Sequence, residues 1–238
     1  MRLLLASSHP ALHRRHLSEL AHPGATVAVV ANAIDTLIDF PREDWVADET
    51  RMLQDAGLAP FELDLRRYDA QPAERLAEAL AGVDVVWATG GNVFVLRDAL
   101  RRSGLDALLR ARLADDSIAY GGVSAGACVC GPTLRGLEHV DDAGAVPEPI
   151  WEGLGLVGFS IAPHYRSGGP EGQAIERVVE YFRARAMPYQ ALRDGQAIVV
   201  RGGSPRTVDA LRGTRTARRL ARVARRGAGG AVRRGPRT

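Results

Sequence analysis

Residues 117–127 read SIAYGGVSAGA, and this stretch decides how the rest of the chain is interpreted. The run of apolar and small residues at 117–123 predicts a buried β-strand. That strand leads directly into Ser124, and the glycines and alanines around the serine favour a sharp turn into a helix. A strand–turn–helix unit of this kind is typical of an α/β domain that carries its functional side chains at the strand ends.

Short β-rich runs alternate with longer helical stretches on both sides of this unit. We expect strands at residues 3–5, 26–30, 61–65, 83–88, 117–123, 158–162, 189–192 and 196–200. We expect helices at residues 43–56, 72–80, 93–102, 105–114 and 173–186, with a short one after Ser124. Asp194-Gly195, between the last two strands, is a hairpin signal. The alternation predicts a three-layer α/β fold with a mostly parallel sheet and helices on both faces.

The charge of the chain is unevenly distributed. Residues 212–238 contain ten arginines and no acid, so the remaining residues carry a net charge of about −7 although the whole chain carries +3. We expect one globular domain at residues 1–205 and an arginine-rich tail at 206–238 that is disordered or partly helical. Because the basic character belongs to the tail alone, it does not indicate a nucleic-acid-binding domain.

Cysteine content and hydropathy suggest a compartment. The two cysteines, Cys128 and Cys130, are too close for an ordinary disulfide and too few for a zinc site, which favours a reducing environment. The N-terminal residues predict a first strand and not a signal peptide. No apolar stretch approaches the roughly 20 residues that a membrane span needs. We therefore expect a cytoplasmic protein with no metal, no cofactor and no membrane partner.

Residues 122–126, GVSAG, match the pattern G-x-S-x-G of a nucleophilic serine. A serine hydroxyl needs a base within hydrogen-bond reach, together with donors that stabilise an oxyanion. The N-terminus of the following helix would supply backbone N–H groups. Glycine and serine also make purely structural turns at strand–helix junctions, so the pattern alone leaves both interpretations open.

Among the six histidines, His164 fits the role of base best. It follows a predicted strand and Pro163, so a parallel sheet would place it at the same edge as Ser124. His139 lies in a turn-rich segment. The other four lie near the N-terminus, where we expect them at the surface: His9, His13, His16 and His22.

Residues 89–92, TGGN, also follow a predicted strand and precede a helix. Their backbone N–H groups could face an oxyanion, since glycine lets a ligand approach closely. Phosphate binding is the competing use of such a loop, but the full dinucleotide fingerprint is absent.

Three motifs, in this order and spacing, resemble the peptidase E family of serine peptidases, which holds alpha-aspartyl dipeptidases and the related cyanophycinases. The motifs are GGN at 90–92, GVSAGA at 122–127 and APHY at 162–165. The resemblance covers about residues 1–205, which would form the catalytic domain. It implies a sheet-based fold like that of class I glutamine amidotransferases, with a serine in place of their cysteine.

The resemblance also implies roles for individual residues. Ser124 would be the nucleophile and His164 the general base. The main-chain N–H groups of Gly91 and Ala125 would form the oxyanion hole, with Asn92 supporting it.

The acid that orients the histidine is left open by the resemblance, because family members place it either before or after the histidine. Glu138, Asp141 and Asp142 occupy the first region, and Asp194 occupies the second. The position fifteen residues after the serine, an acid in peptidase E, is His139 here, so that assignment does not transfer. We favour Asp194, because a turn after a strand can be fixed beside the sheet edge, with Glu138 as the second choice.

The resemblance implies hydrolysis of short peptides, in particular dipeptides with an N-terminal aspartate. We expect the protein to be a monomer or homodimer. An aspartyl side chain calls for a facing cation, for which Arg166 and Arg177 are candidates. Two other functions compete: an esterase of the α/β-hydrolase type, and a non-catalytic binding protein that keeps the pocket. The esterase fold places its histidine late in the chain, whereas no histidine follows His164.

Overall fold

A computed structural model of the chain describes residues 1–8, 14–37 and 41–209. These residues form a seven-stranded central sheet and a separate two-stranded sheet. The strands are β1 (Arg2–Ala6), β2 (Thr26–Val30), β3 (Ala59–Glu62), β4 (Val85–Ala88), β5 (Ala119–Val123), β6 (Ser160–Ala162), β7 (Tyr189–Ala191), β8 (Gln196–Arg201) and β9 (Ser204–Asp209).

Helices connect most of the strands, and local sequence signals set several of their starts. The Asn92 side chain caps the N-terminus of one helix, and Pro170 occupies the first turn of another. None of the helices among the described residues has the length and hydropathy of a membrane span. The helices are α1 (Arg14–Leu20), α2 (Arg42–Asp55), α3 (Ala73–Ala79), α4 (Val93–Arg102), α5 (Leu105–Ala114), α6 (Ala125–Cys128) and α7 (Pro170–Ala184).

The central sheet has the strand order β3-β2-β4-β5-β1-β8-β9. The first five strands of this order are parallel to one another, β8 is antiparallel to β1, and β9 is antiparallel to β8. Leu3 and Leu5 face a core formed with α3 to α7, whereas Leu4 and Ala6 face a second core formed with α1 and α2. The predicted three-layer α/β fold with a mostly parallel sheet is therefore confirmed.

The hairpin predicted at Asp194-Gly195 is wrong. β7 pairs in parallel with β6 in the small sheet, while β8 pairs with β1 and β9 in the central one. The hairpin lies instead between β8 and β9, where Gly202 and Gly203 both have positive φ values of 59° and 88°, as a tight hairpin turn requires. Asp194 thus lies in the connection between the two sheets.

The folded domain extends beyond the expected boundary at residue 205. β9 pairs with β8 along its whole length and continues to Asp209. The rest of the expected arginine-rich tail, 210–238, lies outside the described residues.

The N-terminal histidines do not all lie at the surface. His16 is only 2% exposed, because it lies four residues before Leu20 on the side of α1 that packs against the sheet. His22 is exposed as expected, and His9 and His13 lie outside the described residues.

Glu49 of α2 is buried against the sheet and accepts a hydrogen bond from the indole N–H of Trp87 at 3.3 Å. Burial raises the pKa of Glu49 from its ordinary value of 4.5 to about 7, against the lowering effect of the Trp87 bond. The folded state therefore holds a proton that the unfolded state releases between these two values. The stabilisation of the folded state by this bound proton is fully present below pH 4.5 and is lost as the pH rises through 7.

We expect Glu49→Gln to raise the free energy of unfolding at pH 8 by about 2–3 kcal/mol, because it removes a carboxylate that must ionise while buried. The glutamine oxygen can still accept the Trp87 bond. Urea denaturation at pH 4 and pH 8 measures the effect, with Glu43→Gln, exposed on the same helix, as the control. An effect of equal size at both pH values would contradict this account.

Candidate active site

Ser124 lies in a strained turn between β5 and α6, with φ 51° and ψ −111°. Such a backbone costs about 1–3 kcal/mol for a residue with a side chain. The turn is tight because a Cβ on Gly122 would lie 2.2 Å from the carbonyl oxygen of Gly126, and a Cβ on Gly126 would lie 2.2 Å from that of Ala88. Glycine at these two positions thus allows the turn that projects the serine hydroxyl.

His164 follows β6 and reaches the same edge of the fold. Its Nε2 atom lies 3.1 Å from Ser124 Oγ, and its Nδ1 atom lies 2.8 Å from Asp194 Oδ1. The backbone of His164 also has a positive φ, 54°, and its N–H donates to Ser7 Oγ at 2.8 Å. The three side chains Ser124, His164 and Asp194 therefore form one continuous hydrogen-bonded row.

The Asp194 carboxylate has two further donors. Ser7 Oγ donates to Oδ1 at 3.3 Å, and Ser167 Oγ donates to Oδ2 at 2.8 Å. The sequence reasoning missed both serines. Ser7 directly follows β1, which is a parallel neighbour of β5. A polar residue at the end of a predicted central strand is the sequence signal that could have identified Ser7 as a site residue.

The charges around His164 suit a base. Burial lowers the pKa of His164, but the hydrogen bond with Asp194 and the negative charges of Glu171, Asp194 and Asp141 outweigh burial, so the net pKa lies above its ordinary value. Burial raises the pKa of Asp194, but the hydrogen bonds with His164 and Ser167 outweigh it and hold the pKa below its usual range. Asp194 therefore stays ionised while His164 takes up a proton.

Glu138, the second choice for the acid, does not reach His164. Its side chain is exposed and accepts the N–H of Gly136 within its own turn. The Asp142 carboxylate also has a partner within its own turn, since it accepts the N–H of Gly144 at 2.8 Å. A short-range backbone partner thus holds each of these carboxylates away from the histidine.

Asp141 lies elsewhere, in the wall of the cavity beside Ser124. Its Oδ2 atom accepts the N–H of Val93, at the start of α4, at 2.8 Å. Burial raises the pKa of Asp141 to about 6, and the Val93 bond opposes this. Asp141 is therefore mostly ionised above pH 7 and contributes negative charge to the cavity.

The loop at residues 90–92 lies next to Ser124. Gly91 has φ 134°, and a Cβ there would lie 2.5 Å from the carbonyl oxygen of Ala33. That same carbonyl accepts the N–H of Asn92 at 2.8 Å. Gly91 and Ala125 line the cavity with Ser124, and the N–H of Ala125 is among those that have no partner within α6.

Asn92 supports this loop and does not present its amide to the cavity. Its Oδ1 atom accepts the N–H groups of Phe94 and Val95, and its Nδ2 atom donates to the Asp142 carbonyl at 2.8 Å. The side chain is thus occupied in fixing the start of α4 to the neighbouring segment.

The two arginines expected to meet a substrate carboxylate do not line the cavity. Arg166 is exposed and lies over the Tyr165 ring at 5.2 Å. Arg177 lies on the exposed side of α7, where it donates to the His139 carbonyl at 3.5 Å. The opposite side of α7 carries the apolar residues that pack inward, so the helix turns Arg177 away from the core.

A cavity of about 200 Å³ opens beside Ser124 and His164. Glu171, at the start of α7, places Oε1 3.5 Å from His164 Nε2. No cluster of three or more His, Cys, Asp and Glu side chains suited to a metal ion occurs among the residues the structure describes. The apolar part of the cavity wall is formed mainly by Trp45, Leu137, Val140 and Ile175.

Comparisons with known proteins agree with this architecture. Residues 3–208 match the model of peptidase family S51. Peptidase E of Streptomyces coelicolor is 33% identical over 210 residues, covering 84% of this chain and 81% of that protein. A Drosophila melanogaster protein assigned as an alpha-aspartyl dipeptidase is 29% identical over 160 residues, 64% of this chain and 63% of the relative.

The same fold occurs in a crystal structure assigned to peptidase E from Listeria monocytogenes EGD-e. It has a TM-score of 0.73 and 26% sequence identity, and the match covers 87% of this chain and 98% of that one. The family match spans nearly all of the described residues, including Ser124, His164 and Asp194. The chain therefore belongs to peptidase family S51 and is a hydrolase of the serine peptidase type.

Proposed function

We propose that the chain hydrolyses short peptides through an acyl-enzyme on Ser124. The observation that carries this proposal is the row of Ser124 Oγ, His164 Nε2, His164 Nδ1 and Asp194 Oδ1, with contacts of 3.1 and 2.8 Å. Both distances are within the reach needed for proton transfer and for orientation of the imidazole.

In the proposed mechanism, Ser124 Oγ attacks the carbonyl carbon of the scissile bond as His164 Nε2 accepts the hydroxyl proton. Asp194 stabilises the imidazolium that forms and selects the tautomer with the proton on Nδ1. The N–H groups of Gly91 and Ala125 donate to the oxyanion. His164 then donates its proton to the leaving amine and, in the second half, activates the water that hydrolyses the acyl-enzyme.

Dipeptides with an N-terminal aspartate are the finer substrate class that the resemblance implies. Support for it comes from the name of the Drosophila relative. The charge of the cavity wall does not favour an aspartyl side chain, because the described residues there include Asp141 and Glu171 and no arginine. We therefore propose short peptides as the substrate and treat aspartyl peptides as one member of the panel.

A dipeptide panel that varies the N-terminal residue tests this function. We expect the wild type to release free amino acids from at least one dipeptide and Ser124→Ala to release none. Cleavage of short acyl esters alone would support the esterase alternative, although the family match over residues 3–208 argues against that fold. Binding without any cleavage would support the non-catalytic alternative.

The location and assembly of the protein stay predictions. Cys128 and Cys130 are both free and buried, which supports the proposed reducing, cytoplasmic setting. We keep the expectation of a monomer or homodimer whose partner is a small peptide, with no nucleic acid and no membrane.

A further inference from the structure

The cavity beside Ser124 is negatively charged on one side. Asp141 and Glu171 both line it, and each carboxylate is close enough to His164 to raise the pKa of the imidazole. The described residues of the wall contribute no arginine to balance them. A ligand that enters this space therefore meets two carboxylates next to the serine hydroxyl.

The position of these carboxylates matches a particular group of a peptide. Glu171 Oε1 lies 3.5 Å from His164 Nε2, and that same nitrogen lies 3.1 Å from Ser124 Oγ. In an N-terminal residue, the α-ammonium nitrogen is only two bonds from the carbonyl carbon that the serine would attack. When that carbon is at Ser124, the ammonium group falls within reach of Glu171.

Asp141 provides a fixed partner on the cavity wall. Its bond to the N–H of Val93 at 2.8 Å holds the carboxylate at the start of α4. Glu171, by contrast, is 60% exposed and can adjust to the ligand. One rigid and one adjustable carboxylate suit an ammonium group, which has three donors.

The rest of the wall suits an uncharged side chain. Trp45, Leu137, Val140 and Ile175 supply apolar surface there. At about 200 Å³ the cavity is smaller than the roughly 300–1,000 Å³ pockets that enclose drug-sized ligands. This space fits a single amino-acid residue and not a long peptide segment.

We propose that Asp141 and Glu171 bind the free α-ammonium group of the substrate, so that this peptidase selects short peptides with an uncharged, apolar N-terminal residue over those with aspartate. This inference rests on the proposed function, because it takes Ser124 as the reacting group. An aspartyl side chain would add a third carboxylate to the cavity and would be repelled.

The test is a set of binding constants measured by calorimetry at pH 7, where the α-amino group is largely protonated. Ser124→Ala is the background, so that no ligand is hydrolysed. We expect a leucyl dipeptide to bind at least tenfold more tightly than its N-acetyl derivative and than the aspartyl dipeptide with the same second residue.

Two added substitutions locate the effect. Asp141→Asn keeps an acceptor for the Val93 N–H, and Glu171→Gln removes a charge from an exposed side chain. Each is expected to weaken the leucyl dipeptide at least threefold while leaving the aspartyl dipeptide unchanged or tighter. Glu176→Gln, an exposed acid elsewhere on α7, is the matched control and should change neither ligand.

A general loss of structure would weaken the binding of all three ligands together. Weaker binding of the leucyl dipeptide beside unchanged or tighter binding of the aspartyl dipeptide is therefore specific to the proposal. Tighter binding of the aspartyl dipeptide, or equal binding of the acetylated and free leucyl peptides, would overturn it. A wild-type protein that hydrolyses no dipeptide would overturn the proposed function instead, because the order of the binding constants alone decides the present inference.

Discussion

Ser124→Ala is expected to lower turnover of the best dipeptide about a million-fold, to the level of a protein without a nucleophile. The acyl-enzyme cannot form without the hydroxyl, and no other hydroxyl is hydrogen-bonded to His164 Nε2 among the described residues. The remaining activity would come from oxyanion stabilisation and binding alone. Steady-state kinetics with direct detection of the released amino acid measures this loss.

The substitution should leave the fold intact. Alanine has the same Cβ as serine, so the strained φ of 51° at position 124 costs it no more. The melting temperature should therefore stay close to that of the wild type, and the binding of dipeptides should persist. Ser204→Ala, at the exposed start of β9, is the control and should keep full activity. More than one per cent residual turnover in Ser124→Ala would argue for another nucleophile.

Asp194→Asn is expected to lower turnover about ten-thousand-fold. An asparagine amide at this position can donate to His164 Nδ1, which stabilises the tautomer with its proton on Nε2. That tautomer cannot accept the proton of Ser124. Asp194 also raises the pKa of His164 through its negative charge, against the lowering effect of burial. Its replacement by asparagine therefore lowers this pKa and makes the imidazolium less stable.

The effect of Asp194→Asn should appear in kcat, with little change in KM, because the side chain acts through the histidine and does not line the cavity. Glu138→Gln is the comparison, since Glu138 was the other choice for the acid and is held in its own turn. Full activity in Asp194→Asn together with a large loss in Glu138→Gln would reverse the assignment.

The sequence predicted most of the fold because the central strands β2, β4 and β5 are short and buried on both faces. The apolar run at 26–30 and the glycine-rich end of the strand before Ser124 have few alternatives in an α/β protein. The placement of Ser124 at the carboxyl edge of the central sheet followed from the parallel arrangement of its strands, whereas His164 reaches the same edge from β6 of the separate two-stranded sheet. That rule depends on topology alone, and so it transfers from sequence to structure.

The sequence did not predict the features that depend on pairing between strands far apart in the chain. Asp194-Gly195 reads as a hairpin locally, but the pairing of β8 with β1 separates it from β7. This displacement is what puts Asp194 beside His164. The two glycines at 202 and 203 carried the better hairpin signal, since both adopt positive φ.

The charge of the cavity also lay beyond local patterns. Arg177 and Glu171 lie on the same helix, and only the orientation of α7 decides that the acid and not the arginine reaches the cavity. Asp141 was one of several acids in a turn-rich segment. The bond to the N–H of Val93, formed across the fold, singles it out.

Covalent labelling with an organophosphorus fluoridate, followed by peptide mass mapping, tests the acyl-enzyme on Ser124 most directly. Such reagents modify a serine only where a neighbouring base activates it. We predict one adduct per chain on Ser124, formed in step with the loss of peptidase activity and strongly slowed by His164→Ala. Complete inactivation with Ser124 unmodified, or an adduct on another residue that accounts for the loss, would contradict the account.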